Sequence, residues 1–266
     1  MLIDTHCHVT YPELSPQIDA IVERGRAAGV TRMIQVATTP ADARDAIELM
    51  KRHERIYLAA GVHPHEAAKV TDDELADLAA LHRGQWNLGP LASRLVAVGE
   101  TGLDFHYDFA PSDAQERVFR FQLELAVEVG RPVIIHARKA EEQVCDILRD
   151  YPKLEGHVVF HCFSRGPDVA KRIFDMGLWV SFTGVVTYDK TGETQASAKM
   201  APADRFMVET DSPFLSPVPV RKIRPCEPAF TAHTARCVAE LRGETFETLA
   251  ERTTRNAERF FGLNRE

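Results

Sequence analysis

Two histidines one residue apart, His6 and His8, stand near the start of the chain in the run Asp4-Thr5-His6-Cys7-His8. If this run ends a strand, alternation puts both imidazoles on one face, roughly 7 Å apart, with Cys7 on the other. Neutral imidazoles so placed can give their nitrogens to one metal ion. Taken alone, the pair reads equally well as two polar residues at a strand end. Four further residues add weight: Glu100, His136, His161 and Asp211, each at or just past the end of a short apolar run. Four imidazoles and two carboxylates exceed one ion's usual share of protein ligands, which suggests two cations. A carboxylate can bridge two ions through its two oxygens, and Glu100 lies centrally among the runs. Two ions about 4 Å apart activate a shared water and stabilise charge building on a phosphoryl group. The mixed donors select no single metal: imidazole suits zinc, iron, nickel or manganese, and carboxylates also admit magnesium.

The apolar runs must bring these residues together. They cover residues 2–6, 32–36, 56–61, 95–100, 132–136, 157–161, 178–182 and 205–210. Each is nearly uniformly apolar, as parallel strands covered on both faces are, and each is followed by a helical pattern. Ser15-Pro16 and Thr39-Pro40 read as helix starts. Thr71 with Glu74, and Ser112 with Gln115, have the spacing of capping boxes. The least clear helix falls at 191–200, and two helical patterns, 228–241 and 245–261, close the chain. Eight such units without a Ser/Gly-rich linker predict one α/β domain over residues 1–266: a single (β/α)8 TIM barrel with an extra C-terminal helix. A doubly wound open sheet is the rival. In a barrel all six candidate ligands converge at the C-terminal strand ends, where active sites of this fold lie.

Composition narrows the chemistry. The 266 residues are 44% hydrophobic and 27% charged, with a net charge of −7. A protein that coats duplex nucleic acid shows a broad cationic footprint, so any nucleic acid here is engaged locally. Five cysteines without a Cys-X-X-Cys suggest no disulfide framework and a reducing compartment. No apolar run is long enough to span a bilayer and no cleavable signal is evident, so a cytoplasmic location is expected. No obligate protein partner is indicated.

Around the ligands, His63 and His65 form a second same-face pair, suited to substrate phosphate or the leaving group, or to capping a strand end. Arg138 shares the face of His136 and could fork onto a phosphate or form a rim salt bridge. Asp104 and His106, on a loop beyond Glu100, are expected either to contact substrate or to shape a turn. Asp4 and Glu209 would lie deeper, orienting ligands or forming a charge-paired layer. Cys7 and Cys162 should serve packing. Phe105, Tyr107, Phe163 and Phe214 are loop aromatics that can stack on unpaired bases or pack the rim.

Several stretches carry a resemblance: Ile3-Asp-Thr-His-Cys-His8, Gly61-Val-His-Pro-His65, Val98-Gly-Glu-Thr-Gly-Leu-Asp104, Pro132-Val-Ile-Ile-His-Ala-Arg138, His161-Cys-Phe-Ser164, Glu209-Thr-Asp-Ser-Pro-Phe-Leu215 and Thr254-Arg-Asn256. In order and over nearly the whole chain, this pattern resembles the TatD-related deoxyribonucleases, metal-dependent hydrolases of the amidohydrolase-like barrel group. The resemblance implies one divalent metal on His6, His8, Glu100 and Asp211, and a second on Glu100, His136 and His161. It also implies hydrolysis of DNA phosphodiesters, commonly from the 3′ end of single strands. On that reading Asp211 orients the attacking water and accepts its proton, while Glu100 joins the two ions (Mg, Mn or Zn). The same cup also suits a carboxyl ester or amide, such as an aminoacyl-tRNA ester or a lactone, and a non-catalytic metal-binding scaffold is the reading of another class. Three places depart from the pattern: Thr10 where aspartate is common, Arg165 where glycine is usual, and Lys222-Ile-Arg-Pro-Cys226-Glu-Pro228 in place of a basic Gly-Lys-Arg-Asn-Glu-Pro stretch. These bear on substrate grip more than on metal binding.

Overall fold

In the computed structural model, which describes residues 1–263, the eight apolar runs form strands β1 (Leu2–Cys7), β2 (Val30–Ala37), β3 (Ile56–Ala60), β4 (Leu95–Asp104), β5 (Val133–Arg138), β6 (Val158–Phe160), β7 (Trp179–Phe182) and β8 (Phe206–Val208). They alternate with helices α1 (Ile18–Ala27), α2 (Pro40–Arg52), α3 (Asp72–His82), α4 (Ser112–Val129), α5 (Glu141–Leu148), α6 (Pro167–Asp175), α7 (Glu193–Met200) and α8 (Thr231–Arg242). A further helix, α9 (Phe246–Phe261), ends the order. The sheet order is sequential from β1 to β8. Past β8 the chain returns to β1: the Asp211 N–H donates to the His6 carbonyl at 2.9 Å, and the His8 N–H donates to the Ser212 carbonyl at 2.8 Å. Sequential parallel strands with the last beside the first make a (β/α)8 barrel, here with one extra C-terminal helix.

Contacts concentrate in two units, one of Met1–Gln35 with the chain from His161 onward, the other of Val36–Phe160. In the first, α9 packs along β1 and β8, and the buried Arg32 of β2 meets Glu258 of α9 at 2.5 Å. In the second, β4 is the longest strand and is buried throughout. It pairs with β3 and β5 while α4 lies on it.

Local sequence explains much of this. The Thr39 hydroxyl caps α2 by accepting from the Asp42 N–H, and Thr71 with Glu74 forms a complete capping box on α3. Gly130, at φ 66°, ends α4 in the left-handed conformation that suits glycine. Two expected helix starts differ. Ser15 opens only a 3-10 turn and α1 begins at Ile18; the Leu14 and Ser15 N–H groups already bond the Tyr11 carbonyl, so the turn precedes any cap. Ser112 and Gln115 form no capping box. Pro111 stands at the cap, and the Gln115 amide is spent elsewhere.

Candidate metal centre

In the first unit, β1 ends at Cys7, and the chain turns so that the Nε2 atoms of His6 and His8 lie 3.2 Å apart, closer than an extended strand would put them. Both face Asp211 Oδ1, at 3.7 Å from His6 and 3.4 Å from His8. Asp211 follows β8 with φ 58°, a conformation that costs a non-glycine residue energy and is held by its surroundings. One neighbour doing so is Asp4, whose carboxylate accepts from the Thr210 N–H and hydroxyl. Burial pushes Asp4 up to about 7, against the pull of those bonds. Burial also works to raise Asp211, but the His8 bond and the His161 and His6 rings outweigh it and hold the carboxyl below its usual range.

His161, just past β6, stacks on His6 with ring centroids 3.9 Å apart, and His6, His161 and Asp211 present ligand atoms within 4.8 Å of one another. Glu209 orients this corner. Its Oε1 lies 3.4 Å from His161 Nδ1 and accepts the Cys162 N–H at 2.6 Å, while its Oε2 accepts from Ser181. Cys162 has φ 47°, so this bond fixes a second left-handed residue beside a candidate ligand. Cys7 turns away, its thiol donating to the Ile34 carbonyl, as packing predicts.

In the second unit two strands run further than the sequence predicts: β4 does not end at Glu100 but runs on to Asp104, and β5 runs past His136 to Arg138. Asp104 therefore closes a strand rather than lying on a loop. The two extensions pair with each other, Leu103 with Ala137 and Asp104 with Arg138, and a side-chain clamp holds the end of β4 from the helix side. Gln115 of α4 accepts the Asp104 N–H and donates to both the Asp104 and the Ala110 carbonyls, as a neighbouring strand would. Gln122, two turns on, does the same at the end of β3, bonding Val62 at both N–H and carbonyl, and donates to Thr101.

The lengthened strands set His136 between two carboxylates: Nδ1 is 2.8 Å from Glu100 Oε1, and Nε2 is 2.9 Å from Asp104 Oδ2. His63 Nε2 lies 3.3 Å from His136 Nδ1 and 3.5 Å from Glu100, and His65 Nε2 lies 2.9 Å from Asp104 Oδ2. Asp104 also accepts the His106 and Tyr107 N–H groups. Burial works to raise its carboxyl, and the His136, Tyr107 and His65 bonds overcome this to hold it well below the carboxylate range. Burial pushes His63 down to about 4, so near neutral pH it offers a hydrogen bond rather than a charge. Arg138 is exposed, its guanidinium 4.7 Å over the Tyr107 ring.

The donors fit divalent metal. Two neutral imidazoles at 3.2 Å can share only one N–H···N bond, yet both nitrogens also face one carboxylate oxygen; a cation takes all three lone pairs. Imidazole with carboxylate is a set that zinc and manganese accept.

A family model described as TatD related DNase matches residues 3–262. The chain belongs to the TatD-related DNase family. An uncharacterized metal-dependent hydrolase of Bacillus subtilis, YabD, is 37% identical over 264 residues, covering 99% of this chain and 100% of that protein. The 3′-5′ ssDNA/RNA exonuclease TatD of Enterobacter lignolyticus is 35% identical, over 98% of this chain and 99% of its own. Among solved structures, YjjV, a TatD homologue from Escherichia coli, matches with a TM-score of 0.91 and 29% identity over 99% of this chain and 98% of that one. As a TatD-family member the chain is a metal-dependent hydrolase, an enzyme acting on ester bonds. Among the described residues, no helix is long and apolar enough to cross a membrane.

The departures from the TatD pattern find places. The Thr10 hydroxyl accepts from Gln35, whose Oε1 in turn accepts the Val9 N–H at 2.7 Å, so the pair fixes the turn after His8. The Arg165 carbonyl accepts from Ser197 of α7. Cys226 is buried, and its N–H donates to the Pro213 carbonyl. The glutamines were not legible as site residues. Gln122 had one signal, a polar residue on the apolar face of α4.

Proposed function

We propose that this enzyme is a divalent-metal-dependent deoxyribonuclease that shortens single-stranded or frayed DNA from the 3′ end. The observation that carries the reading is the convergence of His6, His8 and Asp211 in a chain whose relatives include a named 3′-5′ ssDNA/RNA exonuclease. Under it, His6, His8, Glu100 and Asp211 hold one cation and Glu100, His136 and His161 a second, drawn from magnesium, manganese or zinc. When bound, such ions supply a water acidic enough to attack at neutral pH and positive charge opposite the phosphoryl oxygens.

The remaining work belongs to the chain. Asp211 orients the water and takes its proton on a carboxylate oxygen as that water attacks phosphorus. The P–O bond to the departing strand breaks, and the departing oxygen regains a proton from solvent or a neighbouring imidazole. His63 and His65 hydrogen-bond the phosphate or the departing oxygen. Asp104, engaged by His65, His136 and two backbone N–H groups, orients those imidazoles rather than touching substrate. Arg138 supplies a cation at the rim. The net charge of −7 suits a grip on a few nucleotides and predicts weak affinity for long duplex.

The test is release of nucleotides from a 5′-labelled single strand with magnesium, with manganese and with a chelator, beside Glu100→Ala and Asp211→Asn. A ladder shortening from the 3′ end, dependent on metal and lost in both variants, supports the reading. Absence of cleavage by the metal-loaded enzyme overturns it and turns attention to carboxyl esters and lactones.

A further inference from the structure

We infer that Tyr107 and Phe109 form a stacking shelf for the unpaired base next to the scissile phosphate. This inference rests on the nuclease reading and adds to it where the base, as distinct from the phosphate, is held.

Both aromatic rings are exposed, Tyr107 by 43% and Phe109 by 59%. A lone exposed aromatic needs no explanation, but here two touch, with centroids 5.4 Å apart. The shelf adjoins the histidine and carboxylate cluster of its unit. Phe109 lies 4.6 Å from the His65 ring and Tyr107 5.6 Å from it, while His65 itself reaches the Asp104 carboxylate that orients His136. A ring resting on the shelf is therefore one side chain away from that cluster.

The loop under the shelf is rigidly tied. Gln115 bonds Asp104 at its start and Ala110 at its end, and Asp104 Oδ1 takes the His106 and Tyr107 N–H groups at 2.8 and 3.0 Å. The Phe105 N–H donates to the Arg138 carbonyl at 2.9 Å. An exposed aromatic pair on a pinned loop pays little ordering entropy when a flat partner arrives. Arg138 over Tyr107 brings a guanidinium to the shelf, the charge that the phosphate of the same nucleotide requires. Two exposed rings inclined at 39° to each other, with a guanidinium over one face of Tyr107 and the other ring faces left for a base, match a nucleotide better than an aliphatic ester. Such stacking is tolerant of base identity because every base has a π-face.

The test uses the metal-loaded enzyme and a single-stranded oligonucleotide with 2-aminopurine as its 3′-terminal base, kept intact by a terminal phosphorothioate linkage. A matching strand with an abasic 3′ terminus is run alongside. Wild type should quench the 2-aminopurine on binding. Phe109→Ala and Tyr107→Ala should relieve the quenching and weaken affinity roughly 5- to 150-fold, the range of one base–aromatic stack. The abasic strand should bind all three proteins alike. Melting temperatures should stay near wild type, because both rings are exposed. An enzyme that cleaves the unmodified strand while quenching and affinity are the same in both variants overturns the shelf and leaves the nuclease standing. An enzyme that neither binds nor cleaves the strand overturns both.

Discussion

Asp4 and Thr210, 206 positions apart, are joined by two hydrogen bonds, from the Thr210 N–H at 2.9 Å and from its hydroxyl at 2.6 Å. The Thr210 hydroxyl also accepts the Ser212 N–H at 3.1 Å, so one side chain braces both flanks of Asp211. The left-handed backbone at Asp211 is thus over-determined rather than free to relax.

Thr210→Val keeps the shape and removes the hydroxyl. It should cost about 1–3 kcal/mol of stability, because a buried carboxylate loses a donor. Turnover should fall roughly 10- to 100-fold, as it does when an orienting contact behind a ligand is lost. Thermal melts and steady-state rates on the same preparation check both. Unchanged turnover would show that Asp211 holds its place without this brace.

Chelation should abolish hydrolysis and lower the melting temperature, and adding metal back should restore both. At a hundredfold excess over the dissociation constant, binding to the folded state contributes about 2.7 kcal/mol. Asp211→Asn should blunt this rise. A melting curve indifferent to metal in wild type would argue against ions held by His6, His8 and Asp211.

Gln115→Ala removes the clamp on Asp104 and Ala110. Three hydrogen bonds at about 1 kcal/mol each predict a loss near 3 kcal/mol, with faster proteolysis confined to the loop before α4. Denaturant unfolding and mapping of the first cleavage site measure the two effects. Unaltered cleavage in that loop would mean that Asp104 alone anchors it.

His82 sets an acid limb to stability. It is buried on α3 with Nε2 2.9 Å from the Ala60 carbonyl, and burial pushes it down to about 4 from 6.5. Between those values the unfolded chain binds a proton that the folded chain refuses, so stability rises with pH there and falls on acidification. The loss from pH 7 to pH 4 should reach about 3 kcal/mol from this group. Urea unfolding across the interval should give a shallower slope for His82→Gln than for wild type. Parallel slopes would assign the limb to other groups.

Gly102 stands at φ 139°, and a Cβ there would fall 2.1 Å from the His136 carbonyl oxygen. Gly102→Ala must therefore separate β4 from β5 just where Glu100 meets His136. Soluble expression and metal content should both drop, and a well-folded, metal-replete variant would show that the strands can part at little cost.

The strands and most candidate ligands were legible because both are local signals. His6, His8, His136, His161 and Asp211 each follow a run of residues that belong in a buried parallel strand. The end of β4 was hidden because Asp104 is held there by pairing with Arg138 of β5 and by a glutamine eleven positions later, contacts that no period in the sequence encodes. The same residue accounts for the α4 start: Ser112 with Gln115 has capping-box spacing, but the glutamine bonds Asp104 and Ala110 in the strand and loop below it instead. The place of Arg138 on Tyr107 was likewise unreadable, since it depends on how far β5 extends.

The bonds that tie Asp211 to His6 and Ser212 to His8 also bear on the order in which the protein is made. The unit Val36–Phe160 is one continuous piece of chain, so every residue it packs together has been made once Phe160 is added. The other unit is split, with His6 and His8 in its first segment waiting for partners two hundred residues downstream. Until then the end of β1 lacks its partner from beyond β8. If His6, His8 and Asp211 hold a metal as proposed, their site is complete only once residue 211 has been made, and a chain stopped before it would carry the eight strands and lack that carboxylate.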